Sequence, residues 1–230
     1  MRHLLINAFT FTFITLVSLL SVHSVAQDNH INKQGLQQTA INNRIVILGD
    51  SLSASLGMKQ NEGWAHLLNQ HFQQQKLNSL SIELINASIS GETTGGGLAR
   101  IDNVLNKTKP DYVLIELGGN DGLRGFQIKT IRNNLLQIIK KVKAADVKPI
   151  LMQIRIPPNY GPVYNQRFEQ VFTSIAEQEN IPLMPFFMDK IAINPDFMQN
   201  DGIHPNKQAQ AIIRDIMKES ILNVIKPERS

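Results

Sequence analysis

The sequence predicts a three-layer α/β/α domain built on a five-stranded parallel sheet. Short apolar runs alternate with segments of helical periodicity along the chain after residue 43. The apolar runs end in glycine or small polar residues, at the strand ends where parallel sheets carry their functional side chains. With 230 residues, 42% hydrophobic and 18% charged, the chain has the size and composition of one domain with a substantial core.

The first strand is predicted from the run Ile-Val-Ile-Leu at residues 45–48, between Asn43 and Gly49. Such a short, continuous, β-branched run is typical of a central strand buried on both faces. Ser51 follows at the carboxyl end of this strand, which makes it a candidate nucleophile. A lone serine at this place is more often a turn or capping residue, so the hypothesis needs partners from the rest of the chain.

The remaining elements continue the alternation. Strands are predicted at residues 82–85, 112–117, 149–152 and around 183–184, and helices at 64–75, 128–145, 164–179 and from about 206. The helix after the second strand opens with Gly95, Gly96 and Gly97, and each helical glycine costs up to about 1 kcal/mol relative to alanine. We therefore expect local mobility at this helix start.

Two further strand ends carry candidate site residues. Gly91 follows the second strand at a helix start, where unpaired backbone N–H groups are open to a substrate oxygen. Asn120 follows the third strand, and its side-chain amide is a donor suited to a developing negative charge. Taken singly, each residue is also explained by a turn, because glycine and asparagine both favour left-handed backbone.

The last polar cluster, just before the closing helix, contains Asp201 and His204. An acid three residues before a histidine can turn back onto the imidazole and fix its tautomer, as the acid of a serine triad does. The pair can also be a capping arrangement only. Since the carboxyl ends of parallel strands meet at one edge of a sheet, we expect this pair to lie beside the three earlier candidates.

Residues 1–26 have the pattern of a secretory signal peptide, with Arg2 before an apolar stretch and Ser-Val-Ala ending at Ala26. An uncleaved membrane anchor is the rival, but polar residues interrupt the stretch. Residues 27–43 are polar and aperiodic, which predicts a flexible leader before a folded domain at 44–226. The expected location is therefore periplasmic or extracellular, with no membrane anchor after processing.

Charge and composition exclude several function classes. Loss of residues 1–26 removes one charged residue, Arg2, and lowers the formal net charge from +4 to +3, which is too mild to indicate nucleic-acid binding. The chain has no cysteine, so it has no disulfide and no thiol for lipid attachment. No metal-ligand spacing is evident, and we expect neither a metal nor another cofactor.

Four segments in order resemble the SGNH, or GDSL, hydrolases: Gly-Asp-Ser-Leu-Ser at 49–53, Ser-Gly-Glu-Thr at 90–93, Gly-Gly-Asn-Asp-Gly at 118–122 and Asp-Gly-Ile-His-Pro-Asn at 201–206. The similarity spans residues 44–217. Within that family the chain is most similar to the bacterial periplasmic multifunctional thioesterase/protease/lysophospholipase group, in residues 116–126 and 151–161. Ser55 and Leu56 stand where these enzymes commonly have Gly-Tyr, a departure that concerns substrate preference rather than reaction type.

The resemblance implies a flavodoxin-like layout and a role for each candidate. Ser51 is the expected nucleophile, His204 the base and Asp201 its orienting acid. The oxyanion hole is expected from the N–H groups of Ser51 and Gly91 and the side chain of Asn120. The expected enzyme is a monomeric exported serine hydrolase that cleaves small acyl esters and thioesters through an acyl-enzyme.

The loop after the fourth strand is the candidate acyl-chain site. Ile154, Ile156 and Pro157 place apolar side chains at a strand-end crevice, where they are useful if they line a groove. The resemblance implies a loop that moves over the bound chain. The alternative is that these side chains pack beneath the loop as ordinary core.

A second hypothesis, from another class, is a flavodoxin-like module that binds phosphate or a nucleotide in the serine-rich loop at 51–55 without hydrolase activity. Asp50 counts against it, because a carboxylate would lie beside the phosphate. No Gly-Lys-Ser/Thr sequence follows either, as a Walker motif requires. The hydrolase hypothesis is the better supported of the two.

Overall fold

Five parallel strands form the centre of the structure. The computed structural model describes residues 41–75 and 80–225, so the predicted signal peptide and the leader up to residue 40 lie outside the described residues. The strands are β1 (Ile41–Gly49), β2 (Leu80–Asn86), β3 (Tyr112–Glu116), β4 (Lys148–Met152) and β5 (Leu183–Met184). Their order in the sheet is β2-β1-β3-β4-β5. This is the flavodoxin-like order, so the predicted fold is confirmed.

Helices cover both faces of the sheet. They are α1 (Trp64–Gln74), α2 (Thr94–Thr108), α3 (Gly119–Leu123), α4 (Ile128–Ala144), α5 (Pro162–Glu179) and α6 (Ala209–Ile225). Helix α1 packs on α6, and α4 packs on both α2 and α5, which places α1 and α6 on one face and the other three long helices on the opposite face. Among the described residues, no helix is both long and apolar enough to cross a membrane.

Strand β1 begins at Ile41, three residues before the predicted domain start at residue 44. Its first half pairs in parallel with β2, and Arg44 lies opposite Glu83. The Arg44 Nε donates to Glu83 Oε2 at 3.0 Å, so a polar residue has a partner on the neighbouring strand. The strand therefore extends three residues into the segment predicted as leader, because backbone pairing with an edge strand does not require apolar side chains.

The carboxyl ends of β1 and β3 lie side by side. In the parallel register, Gly49 is opposite Glu116, and the apolar residues 45–48 of β1 are fully buried. The turns that follow these two strands therefore start from the same edge of the sheet. Ser51 lies in the first turn, and Asn120 lies in α3 directly after the second.

The glycine triplet lies inside α2, which begins at Thr94. The side chain of Thr93 caps this helix by accepting a hydrogen bond from the backbone N–H of Gly96 at 3.2 Å. The backbone N–H of Thr94 donates to the buried Asp121 of α3 at 2.8 Å. The start of α2, where we expected local mobility, is thus stabilised by hydrogen bonds to the side chains of Thr93 and Asp121.

Gly97 is required by a close approach between α2 and the sheet. A Cβ atom at this position would lie 2.3 Å from Cδ1 of Leu117, whose side chain is fully buried. At Gly95 a Cβ atom would meet its nearest neighbours at 3.7 Å, an ordinary contact distance. The three glycines are therefore not equivalent, although the sequence presents them as one run.

We expect Gly97→Ala and Gly95→Ala to change stability in opposite directions. Gly97→Ala forces the added methyl group against Leu117 and should lower the free energy of unfolding by about 1–3 kcal/mol. Gly95→Ala, the matched control, should leave it unchanged or raise it by up to about 1 kcal/mol through better helix propensity. Urea unfolding of both variants checks this, and equal effects would contradict the role assigned to Gly97.

Candidate active site

Ser51, His204 and Asp201 form a hydrogen-bonded chain. The Nε2 atom of His204 lies 2.8 Å from Oγ of Ser51, and its Nδ1 atom lies 2.6 Å from Oδ2 of Asp201. The imidazole therefore contacts a hydroxyl on one side and a carboxylate on the other. This is the relation that lets histidine take a proton from serine while the acid fixes its tautomer.

Asp201 is held by the turn that presents His204. Its Oδ1 atom accepts hydrogen bonds from the backbone N–H groups of Ile203 at 2.9 Å and His204 at 3.0 Å. Partial burial raises the pKa of the Asp201 carboxyl group, but these hydrogen bonds, the imidazole contact and the His204 charge outweigh it and lower that pKa to about 2. Asp201 is therefore ionised at neutral pH.

The loop that carries His204 is anchored to the nucleophile turn. Nε2 of Gln199 donates to the backbone carbonyls of Leu56 at 2.8 Å and Pro205 at 3.1 Å. The side chain of Asn206 accepts hydrogen bonds from the backbone N–H groups of Gln208 at 2.9 Å and Ala209 at 3.3 Å, at the start of α6. The loop around His204 is thus held by contacts before and after it in the chain.

Asn120 lies in the first turn of α3, close to the nucleophile. Its Nδ2 atom donates to Oδ2 of Asp50 at 3.1 Å and to the backbone carbonyl of Glu92 at 3.0 Å. Gly91, which precedes Glu92, has a φ of 78°, and its carbonyl accepts from Nη2 of Arg124 at 3.2 Å. The Gly91 turn is therefore tied to Asn120 through its neighbour.

Asp50, between Gly49 and the candidate nucleophile, is 3% exposed and contacts a second buried acid, Glu116. Burial raises the pKa of Asp50 to about 6, against the lowering effects of hydrogen bonds from Leu52 and Asn120, the contact with Glu116 and the charge of His204. Burial, together with the charge of Asp50, also raises the pKa of Glu116 well above its usual range. Both shifts favour the protonated form of a carboxyl group in this pair.

A cavity of about 460 Å³ opens beside Ser51, with Asp50, Asn120 and His204 among its lining residues. Most of the remaining wall is apolar and comprises Leu52, Leu123, Ile154, Ile156, Pro157, Pro158, Phe186, Met188, Ala192, Ile193, Met198 and Ile203. Gly91 does not line this cavity. A volume and lining of this kind suit a small ligand with an apolar portion.

The candidate acyl-site residues occupy one wall of the cavity. Ile154 is 2% and Ile156 8% exposed, and both belong to the hydrophobic core, whereas Pro157 is exposed. Ile154 and Ile156 therefore both line the cavity, as a groove requires, and pack in the core beneath the loop. Arg155, between the two isoleucines, is ion-paired with Glu169 and Asp189, which ties the loop to its surroundings.

Sequence reasoning missed the wall formed after β5 and the acids behind the nucleophile. Residues 186–198 contain only short 3₁₀ turns, so no helical or strand periodicity marked them. Asp50 stands in the Gly-Asp-Ser segment, and Glu116 is an acid inside an otherwise apolar strand run. A charged residue in such a run is the one signal that would have found Glu116.

The GDSL-like Lipase/Acylhydrolase family model matches residues 47–212, which hold all five catalytic candidates. The chain belongs to this family. It is therefore an acylhydrolase, an enzyme of the esterase and thioesterase class, and the phosphate-binding hypothesis is set aside. Within the described residues, no group of three or more His, Cys, Asp or Glu side chains could hold a metal ion.

Curated relatives and solved structures of this family are similar over most of the chain. The chain is 46% identical to "Thioesterase 1/protease 1/lysophospholipase L1" of Escherichia coli strain K12, over 77% of its length and 82% of the relative. It is 41% identical to an arylesterase of Vibrio mimicus, over 78% and 88%. The structure of psychrotrophic esterase EstA from Pseudoalteromonas is 51% identical with a TM-score of 0.77, covering 80% of this chain and all of that one.

We expect the stability of Asp50→Asn, relative to the unchanged chain, to rise with pH. The pKa of Asp50 is about 6 in the fold against an ordinary 3.8, so between these values the folded state binds more protons than the unfolded state. This contribution to stability is present below pH 3.8 and is lost as the pH rises through 6. Melting temperatures of both proteins from pH 4 to 7 check the trend, and parallel curves would contradict it.

Proposed function

We propose that this chain is an exported serine hydrolase that cleaves acyl esters and thioesters through an acyl-enzyme on Ser51. The observation that carries the proposal is the contact of His204 with Ser51 at 2.8 Å and with Asp201 at 2.6 Å. Relatives with the names thioesterase, arylesterase and esterase support the substrate class. The proposed enzyme acts as a monomer on small molecules.

In the first half-reaction, Oγ of Ser51 attacks the acyl carbon and its proton passes to Nε2 of His204. The new C–O bond yields a tetrahedral intermediate with a negative oxygen. We assign the donors for this oxygen to the N–H groups of Ser51 and Gly91 and the amide of Asn120. When the intermediate collapses, the bond to the leaving oxygen or sulfur breaks, and His204 returns the proton to the departing alcohol or thiol.

In the second half-reaction, water attacks the acyl-enzyme. His204 takes the proton of this water, a second tetrahedral intermediate forms, and its collapse releases the carboxylic acid and restores the hydroxyl of Ser51. Asp201 keeps its negative charge throughout and stabilises the imidazolium that forms in each half. Its pKa of about 2 supports this role.

We assign the acyl chain to the apolar cavity beside Ser51. Ile154, Ile156 and Pro157 form one wall, and the residues after β5 form the other. Removal of acyl methylene groups from water is worth about 0.8 kcal/mol each, which is enough to favour longer chains. The loop is anchored through Arg155, so release of this residue from Asp189 is the movement we propose for opening the groove.

Export is supported by the signal-peptide pattern of residues 1–26, which lie outside the described residues. Cleavage after Ala26 gives a mature chain that begins at Gln27. The intact mass of the protein recovered from the periplasm or medium checks the cleavage site. An unshortened chain there would contradict it.

We expect Ser51→Ala and His204→Ala each to lower kcat by about 10⁶-fold, since either change removes the group that generates the nucleophile. Labelling by a fluorophosphonate should be lost in Ser51→Ala. Ser53→Ala is the matched control and should still be labelled, because its hydroxyl donates to Glu116 at 2.7 Å instead of contacting His204. The EstA structure is of the enzyme inhibited by monoethylphosphonate, which supports this probe. Activity of Ser51→Ala within tenfold of that of the unchanged chain would contradict the mechanism.

We expect Ile156→Ala to lower kcat/KM more for octanoyl than for acetyl esters. The substitution removes methyl and methylene contacts from the cavity wall, and only the longer chain reaches them. Ile175→Val is the matched control, because Ile175 is fully buried in α5 and does not line the cavity. Steady-state kinetics with p-nitrophenyl esters provide the measurement. Equal losses for both chain lengths would assign Ile156 to the core alone.

A further inference from the structure

The side-chain amide of Asn120 has only one orientation that satisfies its neighbours. Its Nδ2 atom faces Oδ2 of Asp50 and the carbonyl oxygen of Glu92, at 3.1 and 3.0 Å. A backbone carbonyl and an ionised carboxylate both only accept hydrogen bonds. A flipped Asn120 amide would therefore place its oxygen against an acceptor oxygen. Both N–H bonds of the amide are therefore engaged in this state, and an oxyanion must replace one of the two acceptors.

The two acceptors differ in strength. A hydrogen bond to an ionised group is roughly twice as strong as a neutral one. The contact with Asp50 is therefore the one retained, and the neutral carbonyl of Glu92 is the one exchanged. This assigns one N–H of Asn120 to Asp50 as an anchor and the other to the substrate.

Asp50 is itself held by its surroundings. Its Oδ1 atom accepts from the backbone N–H of Leu52 at 3.0 Å, and its own backbone N–H donates to Oε2 of Glu116 at 3.3 Å. Its side chain also contacts the carboxyl group of Glu116, and two carboxyl groups form a hydrogen bond only when one carries a proton. The position of Asp50 is thus fixed by contacts on three sides.

Glu116 is fully buried, and the proposed mechanism gives it no other role. Its Oε2 atom accepts from Oγ of Ser53 at 2.7 Å and lies where a Cβ atom on Gly49 would be only 2.4 Å away. Among the described residues its Oε1 atom has no hydrogen-bond partner. A buried acid in a strand costs stability, so its presence under the nucleophile turn calls for a function.

We propose that Asp50, supported by Glu116, is a positioning residue that holds the amide of Asn120 in the orientation needed to bind the oxyanion. The inference rests on the proposed function, since it requires Asn120 to donate to the tetrahedral intermediate. Asp50 acts through Asn120 and does not touch the substrate. Glu116 keeps the pair at a single negative charge, which limits repulsion of the oxyanion.

The test is a double-mutant cycle of Asp50→Asn with Asn120→Ala, with assays at pH 8 on an acetyl ester. We expect Asp50→Asn alone to lower kcat about 10- to 100-fold with little change in KM, because an amide has one acceptor oxygen where Asp50 supplies two, to Leu52 and to Asn120. Asn120→Ala alone should lower kcat by about 10²–10³-fold. In the Asn120→Ala background, Asp50→Asn should change kcat by less than about threefold, since the group through which it acts is gone.

A second readout separates positioning from loss of structure. A trifluoromethyl ketone forms a reversible tetrahedral adduct with a serine nucleophile and places a negative oxygen in the oxyanion hole. Its inhibition constant should rise in Asp50→Asn by the factor by which kcat/KM falls, while KM stays constant. The cycle is repeated with Asp50→Ala, which removes the carboxylate without adding a donor, so the outcome does not depend on the folding of one variant.

The matched control is Asp189→Asn, which changes a carboxylate that lines the same cavity but pairs with Arg155 rather than Asn120. Its effect on kcat should be the same in both backgrounds. The proposal is overturned if Asp50→Asn retains full kcat, or if its effect persists in the Asn120→Ala background, which would mean action through His204 or general disorder. Failure of the proposed function would give a different result, because the Ser51→Ala variant would then be active.

Discussion

The candidate active site depends on the parallel register of β1 and β3. Because Gly49 lies opposite Glu116, the turns that leave these strands begin at the same height and run side by side. One turn carries Asp50 and Ser51, and the other leads to Asn120 in α3. A slip of one residue would turn the fully buried side chains of β1 to the opposite face of the sheet and separate these groups. The chemistry is therefore fixed by core packing that lies beneath it.

The second requirement is that a distant segment meets the nucleophile turn. His204 lies 153 residues after Ser51, and it follows the last strand instead of ending one. Gln199 connects the two segments by donating to the carbonyl of Leu56 and to that of Pro205. An antiparallel bridge between Met198 and Pro205 closes the same loop. The segment that carries His204 is thus held at the sheet edge by side-chain and backbone hydrogen bonds rather than by a strand.

Sequence patterns predicted the elements that bury apolar faces and the residues that stand at strand ends. Ser51, His204 and Asp201 could be predicted from the sequence because each lies in a short polar segment beside a predicted element. Gly97, by contrast, is explained only by the side chain of Leu117, which no local pattern brings near it. Ser55 has a φ of 63°, a left-handed conformation that costs about 1–2 kcal/mol outside glycine, and the family resemblance alone hinted at it. Local sequence patterns carry no information on tertiary contacts such as that of Gly97, or on backbone strain such as that at Ser55.

The cavity and the reacting groups come from different parts of the chain. Ser51 and the amide of Asn120 follow the ends of β1 and β3, whereas the wall after β5 comes from residues 186–193. Substitutions in that segment can reshape the groove while leaving every hydrogen bond of Ser51 and Asn120 in place. An evolving lineage can therefore change the shape of this cavity without changing these contacts. The same separation gives protein engineers a segment in which to alter selectivity independently of turnover.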